Sequence, residues 1–168
     1  FIMNTLLEVN DVKKAYRMGK ILVPALRGIT FGAQEGEFLT ICGPSGSGKS
    51  TLLHLMGGLD HPDEGEILID GTNITKLSGD KLAELRLTRI GFVFQFFNLL
   101  PRLTALRNVE LPLTIAGVPE EEAVNKAEEI LTLVGLETRM DHRPTELSGG
   151  EQQRVAMARA LVNDPKIV

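Results

Sequence analysis

The chain has no tryptophan, one tyrosine (Tyr16) and one cysteine (Cys42) among its 168 residues. A lone cysteine excludes an internal disulfide, so the core must hold the fold, as suits a reducing cytosol. Its place at the end of the apolar run Phe38-Leu39-Thr40-Ile41-Cys42 predicts a buried, inert thiol. No apolar run approaches the roughly 20 residues that span a bilayer. No signal peptide is visible at the amino end. The expectation is a soluble protein that reaches a membrane only through a partner. A basic surplus is missing too: 18 Lys and Arg face 22 Asp and Glu, a formal charge of −4. That balance removes the electrostatic reason to expect nucleic acid as the main partner. His54, His61 and His142 lack metal-ligand spacing and read as ordinary helix, turn and surface residues. What remains is ample: 43% hydrophobic residues at this length allow one domain with a sizeable core.

Glycine is plentiful, and its placement is informative. Gly43-Pro44-Ser45-Gly46-Ser47-Gly48-Lys49-Ser50-Thr51 fits G-x-x-x-x-G-K-[ST]. The stretch lies between an apolar run, Phe38–Cys42, that predicts a buried strand and a run, Thr51–Met56, that predicts a helix. Gly43, Gly46 and Gly48 let the backbone turn and approach a ligand closely. Successive N–H groups then form an anion nest at a positive helix end. Lys49 would reach the β- and γ-phosphates, and Ser50 would offer a hydroxyl to Mg²⁺. A chance match at average composition is on the order of one in a hundred or rarer. The expected ligand is a nucleotide phosphate.

Along the chain, residues 5–16 alternate as a strand, and Met18-Gly19-Lys20 reads as a turn. Ile21 to Val23 and a strand through Ile29 to Phe31 follow, then a turn at Gln34-Glu35-Gly36-Glu37. This opening predicts a β-rich layer. Breakers fill Gly57–Gly65, a short strand spans Glu66–Asp70, and a helix runs from Ser78 or Gly79 to about Leu87. Ile90-Gly91-Phe92-Val93-Phe94 reads as a second buried strand, ending at Gln95. The character changes at Phe96. Helices are predicted over roughly 104–116, 119–134 and 150–163. In the second, Val124, Ala127, Ile130, Leu131 and Val134 share a face, and Glu120–Glu122 sit where the helix dipole favours negative charge. The chain therefore divides into an α/β part, 1–95, a helical part, 96–163, and a last short stretch, 164–168.

A second motif is Leu147-Ser148-Gly149-Gly150-Glu151-Gln152-Gln153-Arg154. Ser148 can cap the following helix, and two glycines leave its first N–H groups unobstructed. Physics alone leaves two readings open, an ordinary capped helix or a second anion site. As a string, LSGGEQQR resembles the signature motif of ATP-binding cassette (ABC) ATPases. Ser148 stands 99 residues after Lys49, a spacing that family uses.

The resemblance covers essentially the whole chain. It implies a P-loop NTPase (RecA-like) α/β core with an N-terminal antiparallel β layer and an inserted helical subdomain. It also implies ATP and Mg²⁺ as ligands. Tyr16, in Val12-Lys13-Lys14-Ala15-Tyr16, resembles the family's adenine-stacking aromatic. Gln95 resembles the glutamine that contacts Mg²⁺ and water at the seam with the helical subdomain. Phe96-Phe97-Asn98-Leu99-Leu100-Pro101 resembles the segment that faces transmembrane subunits. The long first loop Tyr16–Arg27 and the run FVFQFFNLLPRLTALRNVELPL resemble the lipoprotein-release and macrolide-export branch. The family pattern implies a head-to-tail dimer of two copies, in which Ser148, Gly149, Gly150 and Glu151 of one close over the phosphates on the loop of the other. It further implies membrane subunits as partners and a cytoplasmic, peripheral location at the inner face of the membrane.

The family pattern continues past an apolar strand to an Asp–Glu pair and a switch histidine. Pro165-Lys166-Ile167-Val168 looks like the opening of that strand, and Asp11, Asp60, Asp63 and Asp164 do not stand in the context of those carboxylates. The core is therefore expected to lack its C-terminal part, with apolar edges exposed. These 168 residues alone are expected to bind nucleotide weakly and hydrolyse it negligibly. Two other functions fit less of the sequence: a soluble cassette ATPase acting on DNA or ribosomes, and a non-catalytic nucleotide-binding module.

Overall fold

Two long strands, β1 (Thr5–Met18) and β2 (Ile21–Gln34), pair antiparallel around the two-residue turn Gly19-Lys20. The computed structural model describes residues 5–168. β3 (Glu64–Ile69) adds antiparallel to the other edge of β1, and β4 (Thr72–Asn73) follows through the Asp70-Gly71 turn. The sheet order is β2-β1-β3-β4. Alternation places Leu7, Val9, Ile67 and Ile69 on one buried face, where Leu52 and Leu55 of α1 (Lys49–Met56) are also buried. The residues expected as a long loop, Tyr16–Arg27, are strand on both sides of the turn: Tyr16 pairs with Val23 and Met18 with Ile21. A two-residue loop between alternating strands favours continuous pairing over an open loop.

A bulge interrupts β1. The register shifts between Val9 and Val12, where Asp11 takes φ 46° and its N–H donates to Thr30 Oγ1 at 2.9 Å. Gly65 crosses this bulge at φ +85°, and an added Cβ would overlap the Asp11 carbonyl and lie 2.5 Å from that of Asn10. Gly71, at φ +72°, has open space around it. Gly65→Ala should therefore destabilise the fold by more than the about 1–3 kcal/mol that the backbone conformation alone costs. Gly71→Ala should lose only that conformational part, and urea midpoints at constant slope measure both. Equal midpoints for the two variants would contradict the close approach.

The chain divides into two compact units, one ending at Leu82 and the other Ala83–Val168, with α2 (Gly79–Arg89) running across the boundary. The second unit is helical: α3 (Ala105–Ile115), α4 (Glu120–Leu133) and α5 (Gly149–Leu161). Thr104 Oγ1 caps α3 by accepting from Arg107 N–H, and Pro119 precedes α4 with three glutamates in its first turn. Ala123, Ala127 and Leu131 repeat every four residues and bury completely with Val109, Val155 and Ala158. The three predicted helices are all present. Among the described residues no helix is long and apolar enough to cross a membrane.

Two expected strands are not formed. Phe38–Cys42 forms no strand among the described residues; Phe38 is 93% exposed and Cys42, expected to be buried, is exposed as well. Of Ile90–Phe94, only Ile90 makes a bridge, parallel to Ile167, while Phe92 and Phe94 stack at 5.6 Å. An apolar run becomes a buried strand only where neighbours complete its hydrogen bonds and cover both faces. The Ile90–Ile167 bridge is the one parallel pairing among the described residues.

Candidate functional site

The glycine-rich loop closes onto the first turn of α1. Ser47 N–H donates to the Pro44 carbonyl at 3.3 Å, and Gly46 and Gly48 adopt φ +79° and +90°. A Cβ on Gly48 would lie 2.5 Å from the Ala25 carbonyl and 2.8 Å from Leu26 Cδ2, so only glycine lets α1 start this close to β2. Gly43, Pro44, Ser45, Gly46, Ser47 and Ser50 are exposed, and Gly48, Lys49 and Thr51 are half-buried. No acidic side chain occupies the first turn of α1. Its unpaired N–H groups thus face solvent with their dipole unopposed. Lys49 Nζ donates to the carbonyls of Gly43 and Pro44 at 2.8 Å each, folding back across the loop it belongs to. An anion in the nest would meet a cation already poised over it.

Tyr16 lies in the same unit. It is 39% exposed, and its hydroxyl donates to Asp60 Oδ2 at 2.9 Å. Burial, then the Asp60 hydrogen bond, pushes the phenol above its ordinary pKa, against a smaller opposing hydrogen bond with Thr51 of α1. Desolvation works to raise the Asp60 carboxyl. The His61 N–H, the Tyr16 hydroxyl and Lys14 outweigh it and hold the carboxyl below its ordinary value.

The signature residues lie in the other unit. Ser148 caps α5 as expected, with Oγ accepting from Glu151 N–H at 3.3 Å, while Glu151 Oε2 accepts from Ser148 N–H at 2.7 Å. Those hydrogen bonds with Ser148 hold the Glu151 carboxyl below the usual range, helped by Arg139, whose Nε lies 3.1 Å from Oε1. Gln152 Nε2 donates to the Pro144 and Leu147 carbonyls and fixes the approach to the cap. Gly149 and Gly150 are exposed, and no side chain crowds them closer than Arg154 Nη1 at 3.9 Å from a Cβ built on Gly150. Glu151 is thus engaged in the cap itself, whereas Ser148 and the two glycines present an open helix end. Gln95 is exposed at a turn, followed by Phe96, which is 82% exposed, and by the half-buried Phe97.

Residues 26–168 match the profile of the ABC transporter family. The chain belongs to that family. An uncharacterized ABC transporter ATP-binding protein of Thermotoga maritima is 55% identical over 166 residues, covering 99% of this chain and 71% of that protein. The ATP-binding cassette MJ0796 is 48% identical and superposes with a TM-score of 0.88 over 95% of this chain and 70% of its own. It has been solved as a dimer in a post-hydrolysis state with ADP and Pi, and in a second dimeric structure described as a bacterial ABC transporter cassette. The α/β cassette fold of this ABC transporter domain follows from that match.

Three residues that shape this ABC transporter domain are not apparent in its motifs. Arg159 of α5 donates from Nη1 and Nη2 to the carbonyls of Asn98 and Phe97, both at 2.7 Å, and burial lowers its pKa. Phe97 and Asn98 are successive non-glycine residues at φ 60° and 49°, a conformation this guanidinium fork supports. Asn108, fully buried on α3, accepts from Leu100 N–H at 2.7 Å and donates to the carbonyls of Leu100, Leu103 and Thr104. Its one sequence signal is an amide among apolar residues on the inner face of a helix. Asp60 has no such signal, lying in a stretch that reads as a breaker-rich turn.

Proposed function

We propose that this chain is the ATP-binding and ATP-hydrolysing subunit of a membrane transporter or membrane-extraction complex, driven by nucleotide-dependent head-to-tail dimerisation. The observation that carries the proposal is the pair of open, glycine-flanked helix N-termini, α1 behind Lys49 and α5 behind Ser148, in separate units of one chain. The dimeric, ADP- and Pi-bound form of the similar cassette MJ0796 supports it.

In this reading the Gly43–Thr51 amides hold the β- and γ-phosphates, and Lys49 exchanges its two carbonyls for phosphate oxygens. The Ser50 hydroxyl is a hard donor of the kind Mg²⁺ takes alongside its waters; Gln95, in the other unit, carries an amide oxygen of the same kind. When bound, that ion would neutralise charge developing on the phosphates. Tyr16 offers its ring to adenine. Ser148, Gly149 and Gly150 of a second copy bring a hydroxyl and free N–H groups to the γ-phosphate, with Glu151 holding the cap that aims them. Two-fold symmetry repeats the arrangement at a second site.

The functional division runs 1–95 for nucleotide, 96–163 for the helical part with the signature, and 164–168 for a last short stretch. The exposed Phe96 would meet membrane subunits, keeping the protein peripheral at the cytoplasmic face. The Phe92–Leu113 run supports the lipoprotein-release and macrolide-export branch. A tagged chain expressed in cells should sediment with membranes and, after detergent extraction, co-purify with a polytopic subunit. Recovery on DNA or ribosomes instead would overturn the transporter reading.

A further inference from the structure

Resting on the reading of Tyr16 as the adenine platform, we propose that Asp60 is the positioning residue that sets the Tyr16 ring for the base. The loop after α1 closes on residues 14–16 of β1 from several sides. Asp60 Oδ2 accepts the Tyr16 hydroxyl at 2.9 Å, and Oδ1 accepts Lys14 Nζ at 3.1 Å and the His61 N–H at 2.7 Å. Lys14, only 11% exposed, also donates to the His61 carbonyl at 2.6 Å, and Asp63 Oδ2 accepts the Ala15 N–H at 2.7 Å. Lys14 Nζ sits 5.3 Å from the centre of the Tyr16 ring. One face of the ring is thereby taken by a cation, and the base is left the other.

The carboxylate is itself referred to the phosphate loop. Gly57 and Leu59 N–H groups donate to the Leu53 and His54 carbonyls at 2.9 and 2.8 Å, so the Asp60 loop extends directly from the C-terminal end of α1. α1 begins at Lys49, in the loop that would hold the phosphates. Asp60 therefore ties the ring to the same rigid element that carries the phosphate site. A tether of this kind holds the distance and angle between base platform and phosphate cradle before ligand arrives, which lowers the ordering cost of binding. Without it the ring stays on β1, and only the weaker Thr51 hydrogen bond and the Lys14 ammonium over one face oppose its turning about the χ angles.

The test compares affinity for ATP with affinity for inorganic tripolyphosphate, which has no base. Because the chain has one tyrosine and no tryptophan, the phenolate band that grows in an alkaline titration without nucleotide reports Tyr16 alone. Tyr16→Phe keeps the ring and removes the tether. It should weaken ATP about three- to tenfold, the worth of one such hydrogen bond, and leave tripolyphosphate unchanged. Asp60→Ala should do the same, adding nothing to Tyr16→Phe in the double variant, and should bring the alkaline titration of the phenol down toward its ordinary range. Equal losses for ATP and tripolyphosphate in Asp60→Ala would assign Asp60 a merely structural role and overturn the proposal. Tyr16→Ala separates the two ideas. If Tyr16→Ala lowers the ATP preference while Tyr16→Phe and Asp60→Ala retain it, positioning fails and the adenine platform stands. If Tyr16→Ala also retains it, the adenine platform itself is wrong.

Discussion

Lys49→Ala is expected to weaken ATP binding by about 100-fold or more, to the point of no measurable heat in a calorimetric titration. The lysine ammonium is the cation seated across the phosphate loop, held by two carbonyls at 2.8 Å. Alanine leaves those carbonyls beside the incoming phosphates with nothing to turn their negative ends. Attraction is thus replaced by repulsion at the same point. The fold should be little changed, since Gly43 and Pro44 are exposed and water can take over their hydrogen bonds. An unchanged dissociation constant would mean that phosphates do not bind at this loop.

Ser148→Arg should separate binding from assembly. Arginine at the N-cap loses the Oγ interaction with Glu151 N–H, a loss of about 1 kcal/mol in helix stability, and fills the space that Gly149 and Gly150 leave open. ATP affinity of the monomer should stay within about twofold, because Ser148 and the phosphate loop lie in different units. The ATP-induced dimer should disappear in sedimentation velocity at concentrations where the unsubstituted chain doubles its mass. Loss of nucleotide binding by the monomer would place Ser148 at the phosphates of its own chain and refute a site shared between copies.

What could be read from the sequence follows how local the controlling interaction is. The glycine-rich turn before α1 and the Ser148 cap are each settled within a few residues, and both formed as the residue types dictate. The α4 core face follows in part from 3.6-residue periodicity: Ala127, Ile130, Leu131 and Val134 join the core as expected, whereas Val124 is only half-buried and Ala123 is buried in addition. Phe38–Cys42 misled because hydrophobicity records what a run would bury and says nothing of which strand would lie beside it. Tyr16–Arg27 misled in the opposite sense: the family resemblance suggested a loop, whereas cross-strand pairing such as Tyr16 with Val23 extended both strands to the turn. The Tyr16–Asp60 and Arg159–Phe97 hydrogen bonds join residues 44 and 62 positions apart. No local pattern encodes such pairs, because each depends on two elements meeting in the folded chain.

The segment after Gln95 has a mechanical character that its exposure conceals. Arg159 clamps Phe97 and Asn98 at one point, and the Asn108 amide clamps 100–104 at another. Phe96 therefore projects from a braced mount rather than from a slack loop. The first clamp is a side chain of α5, the helix whose opposite end is Ser148, about 16 Å away along the axis. A helix of that length transmits a push nearly undiminished. The turn that bears Phe96 and the cap at Ser148 are thus fastened to the two ends of one helix, so a shift of α5 along its axis would move both together.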